Sequence, residues 1–274
     1  MGSVAIAHDG SVNTVVAART DKTAHPLLRA EVAVVVALVV GLSAARSVLS
    51  FVRSALTAPP AGLPGQTVAL NGSAAPGLPW VDLGYQVIFV VSLLLPVALV
   101  LVLAAQRGEA PDQLGLRMDR WPRDTLLGIG AAAAVGGVGL VGYLGSRAAG
   151  ASLTVIPTTL PDVWWRIPVL IASAFANALL EEVVIVGYLL RRCKDVGINE
   201  DRALAISGGV RAAYHLYQGL AGLLGNLLMG LIFGRYYQRT GRVLPLIVAH
   251  ATIDTAAFVG YVILAGHVSW LPTG

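Results

Sequence analysis

Two adjacent carboxylates, Glu181 and Glu182, lie in the middle of an apolar run from Ile167 to Leu190. A run of this length is long enough to cross a bilayer as a helix. Each charge at the centre of such a helix costs at least ~2.5 kcal/mol on insertion scales, so it needs a compensating use. The pair therefore indicates ion or substrate handling; the alternative is a structural pair bonded to neighbouring helices.

Four further ionisable residues lie inside apolar stretches nearer the C-terminus. They form two pairs with four-residue spacing, Arg211 with His215 and His250 with Asp254. That spacing places both members of a pair on one face of a helix. At ~1.5 Å per residue, the acidic and histidine side chains all lie ~12–19 Å along their helices from the nearest basic cluster. Three helices thus bring carboxylates and imidazoles to one depth, which indicates a shared site.

Carboxylates and imidazoles at one depth suit amide hydrolysis, which needs an activated water and a stabilised oxyanion. A carboxylate of the Glu181–Glu182 pair suits the general base. His215, His250 and Asp254 offer atoms that hold the water, polarise the carbonyl or bind a divalent metal such as zinc. No His-Glu-x-x-His zinc helix is present. Water held with a metal and water held without one are therefore both open alternatives.

The composition is that of a membrane protein. Of the 274 residues, 56% are hydrophobic and only 12% are charged, whereas soluble domains carry about 25% charged residues. We expect an all-α, polytopic transmembrane bundle. The formal net charge of +4 does not indicate a nucleic-acid partner, because the basic residues lie mainly in short segments between apolar runs. The single cysteine, Cys193, excludes an intramolecular disulfide and a cysteine-based zinc site.

Hydropathy predicts seven spans, of which the fifth is short. They are Val32–Phe51, Leu83–Ala105, Thr125–Ser146, Ile167–Leu190, Ala203–Tyr217, Gly219–Gly234 and Val243–Gly266. With all seven retained, 14 of the 19 basic residues fall on one side of the membrane. By the positive-inside rule, this side and the N-terminus are cytosolic.

Residues 1–26 are expected to form a disordered cytosolic tail, and residues 27–274 a single transmembrane domain. The loop Thr57–Trp80 is rich in proline and glycine and is expected to be irregular. The third span is rich in glycine and alanine, which predicts close helix packing. The catalytic half is placed at about 163–266, because it carries every ionisable pair described above.

Motifs in this half resemble those of the CPBP family of intramembrane metalloproteases, which covers CAAX proteases and bacteriocin-processing or abortive-infection proteins. The family motifs are Glu-Glu-x-x-x-Arg, Phe-x-x-x-His and His-x-x-x-Asn/Asp. Glu181-Glu182 matches the start of the first, His215 the histidine of the second, and His250-A-T-I-Asp254 the third. The resemblance implies an integral membrane endopeptidase, expected in a bacterial plasma membrane, that cleaves a membrane protein or a lipid-anchored peptide.

The resemblance also implies a role for each matching residue. Glu181 looks like the general base, with Glu182 supporting it. His215 and His250 would hold the oxyanion or the metal, and Asp254 would orient His250. Two positions depart from the motifs, since Val186 stands at the arginine position and Arg211 at the phenylalanine position.

Arg211 is the natural replacement for the missing motif cation. It shares a helix face with His215 and lies too deep for easy snorkelling to the interface. An unpaired guanidinium there would be costly, and the nearest excess negative charge is the glutamate pair. We therefore expect Arg211 to supply, across helices, the charge that an arginine at 186 would supply along one helix. The alternative is that it bonds backbone carbonyls or reaches water in the cavity.

Other classes of membrane protein fit less well. A serine intramembrane protease needs Gly-x-Ser-Gly, but Ala205 occupies the first glycine position before Ser207. An aspartyl intramembrane protease needs two deep aspartates, and only Asp254 qualifies. A proton-coupled transporter also places Glu, His and Asp at the midplane, but no internal repeat is visible. A non-catalytic, immunity-type membrane binding protein is the remaining alternative.

Overall fold

Seven helices make up almost all of the molecule. The computed structural model describes residues 26–57 and 65–271. The helices are α1 (Pro26–Leu56), α2 (Pro79–Gln106), α3 (Trp121–Ala148), α4 (Arg166–Asp195), α5 (Glu200–His215), α6 (Leu220–Thr240) and α7 (Leu244–Leu264). The predicted tail 1–26 lies outside the described residues except for Pro26, with which α1 begins.

The predicted all-α membrane bundle is confirmed, and each predicted span overlaps one helix. Within the described residues, six helices are long and apolar enough to cross a membrane. The exception is α5, which has 16 residues and three charges in its first turn, Glu200, Asp201 and Arg202. It lies antiparallel to α6, with Asp201 paired to Arg235 at one end and Gly208 against Gly230 in the middle.

Helix α4 is the centre of the bundle. In its most apolar 18-residue window 72% of the residues are buried, against 11–17% for α1, α2 and α3. It contacts α2, α5, α6 and α7, whereas the outer helices expose large apolar side chains such as Leu95 and Val141. Apolar side chains of that kind face lipid at little cost. The charged and polar side chains of the predicted site lie instead around α4, where other helices shield them from lipid.

The middle of α4 is π-helical from Leu180 to Tyr188. Every residue of this segment is buried. A π-helical turn widens the helix and often marks a functional site in an otherwise α-helical element. The segment contains both Glu181 and Glu182, so the backbone departs from regular α-geometry where the two carboxylates are held.

Part of the predicted irregular loop is a strand. Thr67–Asn71 forms β1, which pairs in parallel with β2, Thr154–Thr158. The expectation of an irregular loop is therefore wrong for β1. Pairing joins segments more than 80 residues apart, so no local pattern reveals it. The Tyr143 hydroxyl accepts the Val155 N–H at 2.9 Å, which attaches this small sheet to α3.

Ion pairs fasten the ends of the helices in the segments predicted to be cytosolic. Arg192 is 1% exposed and bonds to Glu109, which follows α2. This hydrogen bond holds the pKa of the Glu109 carboxyl below its usual range. Arg242, in the turn between α6 and α7, donates to Asp124 of α3 at 2.8 Å. These contacts hold α2 and α3 against the half of the chain that carries the predicted site.

The expected close packing of the third span can be tested with two glycines of α3. A methyl group on Gly128 would lie 2.6 Å from Val248 Cβ and 2.7 Å from the Pro245 oxygen, whereas one on Gly130 would meet nothing within 4 Å. We expect Gly128→Ala to destabilise the protein by ~1–3 kcal/mol because it forces α3 and α7 apart. Thermal unfolding in detergent measures the loss.

The matched control is Gly130→Ala, which makes the same substitution two residues away. It should leave the unfolding temperature unchanged or raise it, because alanine is the better helix former. An equal effect of both substitutions would show that α3 and α7 do not depend on close approach at Gly128.

Candidate active site

The structure brings all six predicted residues into one cluster. Glu181 and Glu182, on the π-helical segment of α4, are 3% and 0% exposed. Arg211 of α5 and His250 of α7 reach the same carboxylates. His215 and Asp254 extend the cluster at its edges. Three helices therefore meet through charged side chains at one place, as the depth argument predicts.

Arg211 is the hub of this cluster and is completely buried. Its Nη1 donates to Glu182 Oε1 at 2.8 Å, and its Nη2 lies 3.1 Å from Glu181 Oε2. The expected contact of Arg211 with the glutamate pair is present. The guanidinium also lies 5.7 Å from the ring centre of Phe233. A methyl group on Gly230 would lie 3.2 Å from the Arg211 Cδ, so glycine leaves room for this side chain.

His250 makes a short contact with Glu182, and this contact locates one of its protons. Its Nδ1 lies 2.8 Å from Glu182 Oε1 and 3.1 Å from Arg211 Nη2. An ionised carboxylate can only accept and a guanidinium can only donate, so the two contacts cannot both be hydrogen bonds. Because the contact to Glu182 Oε1 is the shorter of the two, we assign the proton to His250 Nδ1, which donates to Glu182.

His215 is oriented by the backbone of its own helix. Its Nδ1 lies 2.9 Å from the Arg211 carbonyl oxygen. Since a carbonyl only accepts, Nδ1 carries the proton in this contact. The other ring nitrogen, Nε2, lies 3.7 Å from Glu181 Oε1. The Tyr214 ring packs beside the imidazole with 4.6 Å between ring centres.

The two carboxylates differ in how far they are satisfied. Glu182 Oε1 accepts from Arg211 and from His250. Oε2 of both glutamates is buried without a hydrogen-bond donor among the described residues, although Glu181 Oε2 lies 3.1 Å from Arg211 Nη2. A buried acceptor without a donor is a natural place for a water molecule. Glu181 keeps slight exposure, 3% against 0% for Glu182, so it is the carboxylate of the pair that water reaches more readily.

Asn177 belongs to this cluster and was missed by the sequence interpretation. Its Nδ2 lies 3.2 Å from Asp254 Oδ2 and 3.5 Å from His250 Nε2. It precedes Glu181 by four residues, so both side chains lie on one face of α4. That spacing was the available signal. An uncharged amide in an apolar run did not stand out, because amides in membrane helices commonly bond a neighbouring helix.

The donor atoms closest to one another differ from the metal ligands predicted from sequence. Within the described residues, one group offers three atoms within 4.8 Å of each other, from Glu181, Glu182 and His250. The predicted set was His215, His250 and Asp254. Arg211 already contacts all three members of the observed group. An ion there would have to compete with the guanidinium for both carboxylates, so this group does not fit a metal while Arg211 is in place.

The site lies within a segment that matches a known family. Residues 163–256 match the family model described as Type II CAAX prenyl endopeptidase Rce1-like. The resemblance to the CAAX protease family is confirmed. No curated protein sequence and no solved structure gives a significant match. The match supports a membrane endopeptidase, and it includes all six predicted residues as well as Asn177.

The departures from the CAAX protease motifs can now be placed in space. Val186, at the arginine position of the first motif, is completely buried. It follows Glu182 by four residues within the π-helical segment. Arg211, at the phenylalanine position of the second motif, is paired with both glutamates. The cation missing from α4 is thus matched by one from α5 that reaches the same carboxylates.

We expect Arg211→Phe, which restores the family residue, to inactivate or destabilise the protein. Removing one partner from a buried ion pair typically costs ~3–5 kcal/mol, because the other charge is left uncompensated. Two glutamates would lose their counter-ion here. Thermal unfolding and the yield of folded protein measure the loss.

Adding Val186→Arg to Arg211→Phe should recover much of what is lost, because it returns the cation to the position given by the motif. Val186→Arg alone is the control and should be harmful, since it adds a second buried cation beside the first. Full stability and activity of Arg211→Phe alone would contradict the exchange of positions.

Proposed function

We propose that this chain is an intramembrane endopeptidase of the CAAX protease type, in which Glu181 activates the water that attacks the peptide bond. One observation supports it above all. Glu181 Oε2 has no hydrogen-bond donor among the described residues and Glu181 keeps slight exposure, 3% against 0% for Glu182, while Glu182 Oε1 already accepts from Arg211 and His250. A general base must be within hydrogen-bond reach of the water that it deprotonates.

The two glutamates have different roles in this proposal. Glu182 Oε1 is held by Arg211 and by the Nδ1 proton of His250, so it is a poor acceptor for a water proton. Its role is to fix these two groups. Glu181 Oε2 lacks a hydrogen-bond donor among the described residues, and His215 Nε2 lies 3.7 Å from the other oxygen of Glu181. His215 is therefore placed to contact a water bound to Glu181.

Preorganised positive charge would stabilise the oxyanion that forms when the water attacks the carbonyl. The guanidinium of Arg211 lies beside Glu181 in a site almost without exposure, and the imidazoles of His215 and His250 would add positive charge there when doubly protonated. Fixed dipoles and charges act more strongly in such a low-dielectric site than in water. The same groups that make burial of two carboxylates tolerable would thus lower the barrier to amide hydrolysis.

We propose that the water is activated without a divalent metal. Supporting this, Arg211 already contacts both carboxylates of the acidic group that would bind an ion and offsets one of their two negative charges. Activity of the purified protein should survive a strong chelator, and added zinc should not raise it. Loss of activity with the chelator, and recovery with zinc but not with magnesium, would contradict this proposal. It would favour His215, His250 and Asp254 as ligands instead.

The substrates that we propose are membrane proteins or lipid-anchored peptides in a bacterial plasma membrane. The matched family is named for prenyl substrates, while the exchange at positions 186 and 211 alters the centre of the site. A prenylated peptide, an acylated peptide and a peptide with a transmembrane anchor therefore form the first panel of substrates. The lipid bilayer is a partner in each case, and no nucleic acid is proposed.

Glu181→Gln should abolish cleavage of a membrane-anchored peptide by protein reconstituted in liposomes. Glutamine keeps the shape of the side chain but cannot take a proton from water. The loss should be at least ~100-fold, on the scale of a lost general base. Mass spectrometry of the products measures it, and the unfolding temperature reports whether the variant is folded.

Glu182→Gln is the matched control, with the same change one residue along α4. It should lose less activity and more stability than Glu181→Gln, because it weakens the contacts to Arg211 and His250. Near wild-type cleavage by Glu181→Gln would remove Glu181 as the base. A transporter or a non-catalytic binding protein would show no cleavage in either variant or in the wild type.

A further inference from the structure

The side-chain amide of Asn177 links helix α4 to Asp254 and His250 on α7. The Asn177 Nδ2 lies 3.2 Å from the Asp254 Oδ2 and 3.5 Å from the His250 Nε2. Asp254 and His250 are themselves 3.5 Å apart. This last distance is at the outer limit of a hydrogen bond. The shortest contact of Asp254 in this group therefore comes from the other helix.

The direction of this contact follows from chemistry. An ionised Asp254 can only accept, whereas the Asn177 amide nitrogen can only donate. The two residues are a donor and an acceptor matched across the seam between α4 and α7. The side chain of Asp254 is 20% exposed, so without this donor it would be free to turn towards the cavity and away from His250.

The position of Asn177 on α4 connects this contact to the two glutamates of the site. Asn177 and Glu181 share one helix face, and Asp254 and His250 share one face of α7. His250 in turn donates through Nδ1 to Glu182. Asn177 therefore closes a ring of contacts that runs from α4 through Asp254 and His250 and back to α4. Such a ring fixes the distance between the glutamates and His250.

We propose that Asn177 is a positioning residue that holds Asp254 and His250 in register with Glu181, and that its identity is matched to the acid at 254. The third motif allows Asn or Asp at that position. This chain has Asp, which requires a donor from α4, and Asn177 supplies it. An Asn at 254 would instead donate its amide N–H to a carboxylate at 177. This inference rests on the proposed peptidase function.

The test is a donor–acceptor swap, read by the steady-state cleavage of a membrane-anchored peptide. In Asn177→Asp, two carboxylates face each other at a contact distance of 3.2 Å, so we expect the largest loss, at least ~100-fold in kcat. Asn177→Leu removes the donor and should lose about 10-fold or more. Asp254→Asn should be the mildest, because two amides can still pair. KM should change little in all three, since binding of the substrate is not altered.

The double variant Asn177→Asp with Asp254→Asn restores the hydrogen bond with its direction reversed. It should recover kcat to within a few-fold of Asp254→Asn alone, a strongly non-additive result for residues in contact. The control is Asn226→Asp, the same substitution in α6, where the amide bonds only to the Gly222 carbonyl of its own helix. Adding Asp254→Asn to that variant should not raise its kcat.

Three outcomes would overturn the inference. Asn177→Leu could keep wild-type kcat, the losses in the double variant could simply multiply, or the swap could restore the unfolding temperature while kcat stays low. The last would show a purely structural contact. Failure of the proposed function is distinct, because the wild-type protein would then cleave none of the substrates, or Glu181→Gln would cleave at the wild-type rate.

Discussion

The structure depends on the burial of two neighbouring carboxylates in a part of the molecule that water barely reaches. Glu181 and Glu182 are tolerable there because the Arg211 guanidinium bridges them. The attraction within a buried ion pair offsets the cost of desolvating its charges only when the geometry is good and the remaining donors are hydrogen-bonded. Here the cation is fully enclosed and shared by both acids, so it offsets one of their two negative charges without being screened by solvent.

The rest of the fold serves this arrangement. The most buried helix, α4, is wrapped by α2, α5, α6 and α7, and its π-helical turn lies at the glutamates. Gly208 and Gly230 let α5 and α6 approach closely enough for Arg211 to be enclosed. Lipid-facing helices add stability but no polar groups to the site. Under the proposed function, activity and stability depend on the same few contacts, and substitutions of Arg211 should affect both.

The sequence predicted the helices and the main members of the site, because a charge in an apolar run is expensive and conspicuous. The partner of Arg211 could also be inferred, since a deep cation needs an anion. Two features had no local signal, because strand β1 is paired with a distant segment and the π-helical turn depends on packing around α4. Asn177 had only its four-residue spacing from Glu181, and an uncharged amide does not stand out in an apolar run. The roles of the two adjacent glutamates became distinct only when the donors to each oxygen were known.

The central claim is that Glu181 activates a water molecule rather than attacking the substrate itself. The most direct test is a single turnover in heavy-oxygen water with enzyme in excess over a membrane-anchored peptide. The account predicts that the new carboxyl group of the first product carries the heavy oxygen, and that Glu181→Gln forms no product. Ordinary oxygen in that carboxyl group, with the label in Glu181 after the single turnover, would show a covalent intermediate hydrolysed at the glutamate carbon and contradict the account.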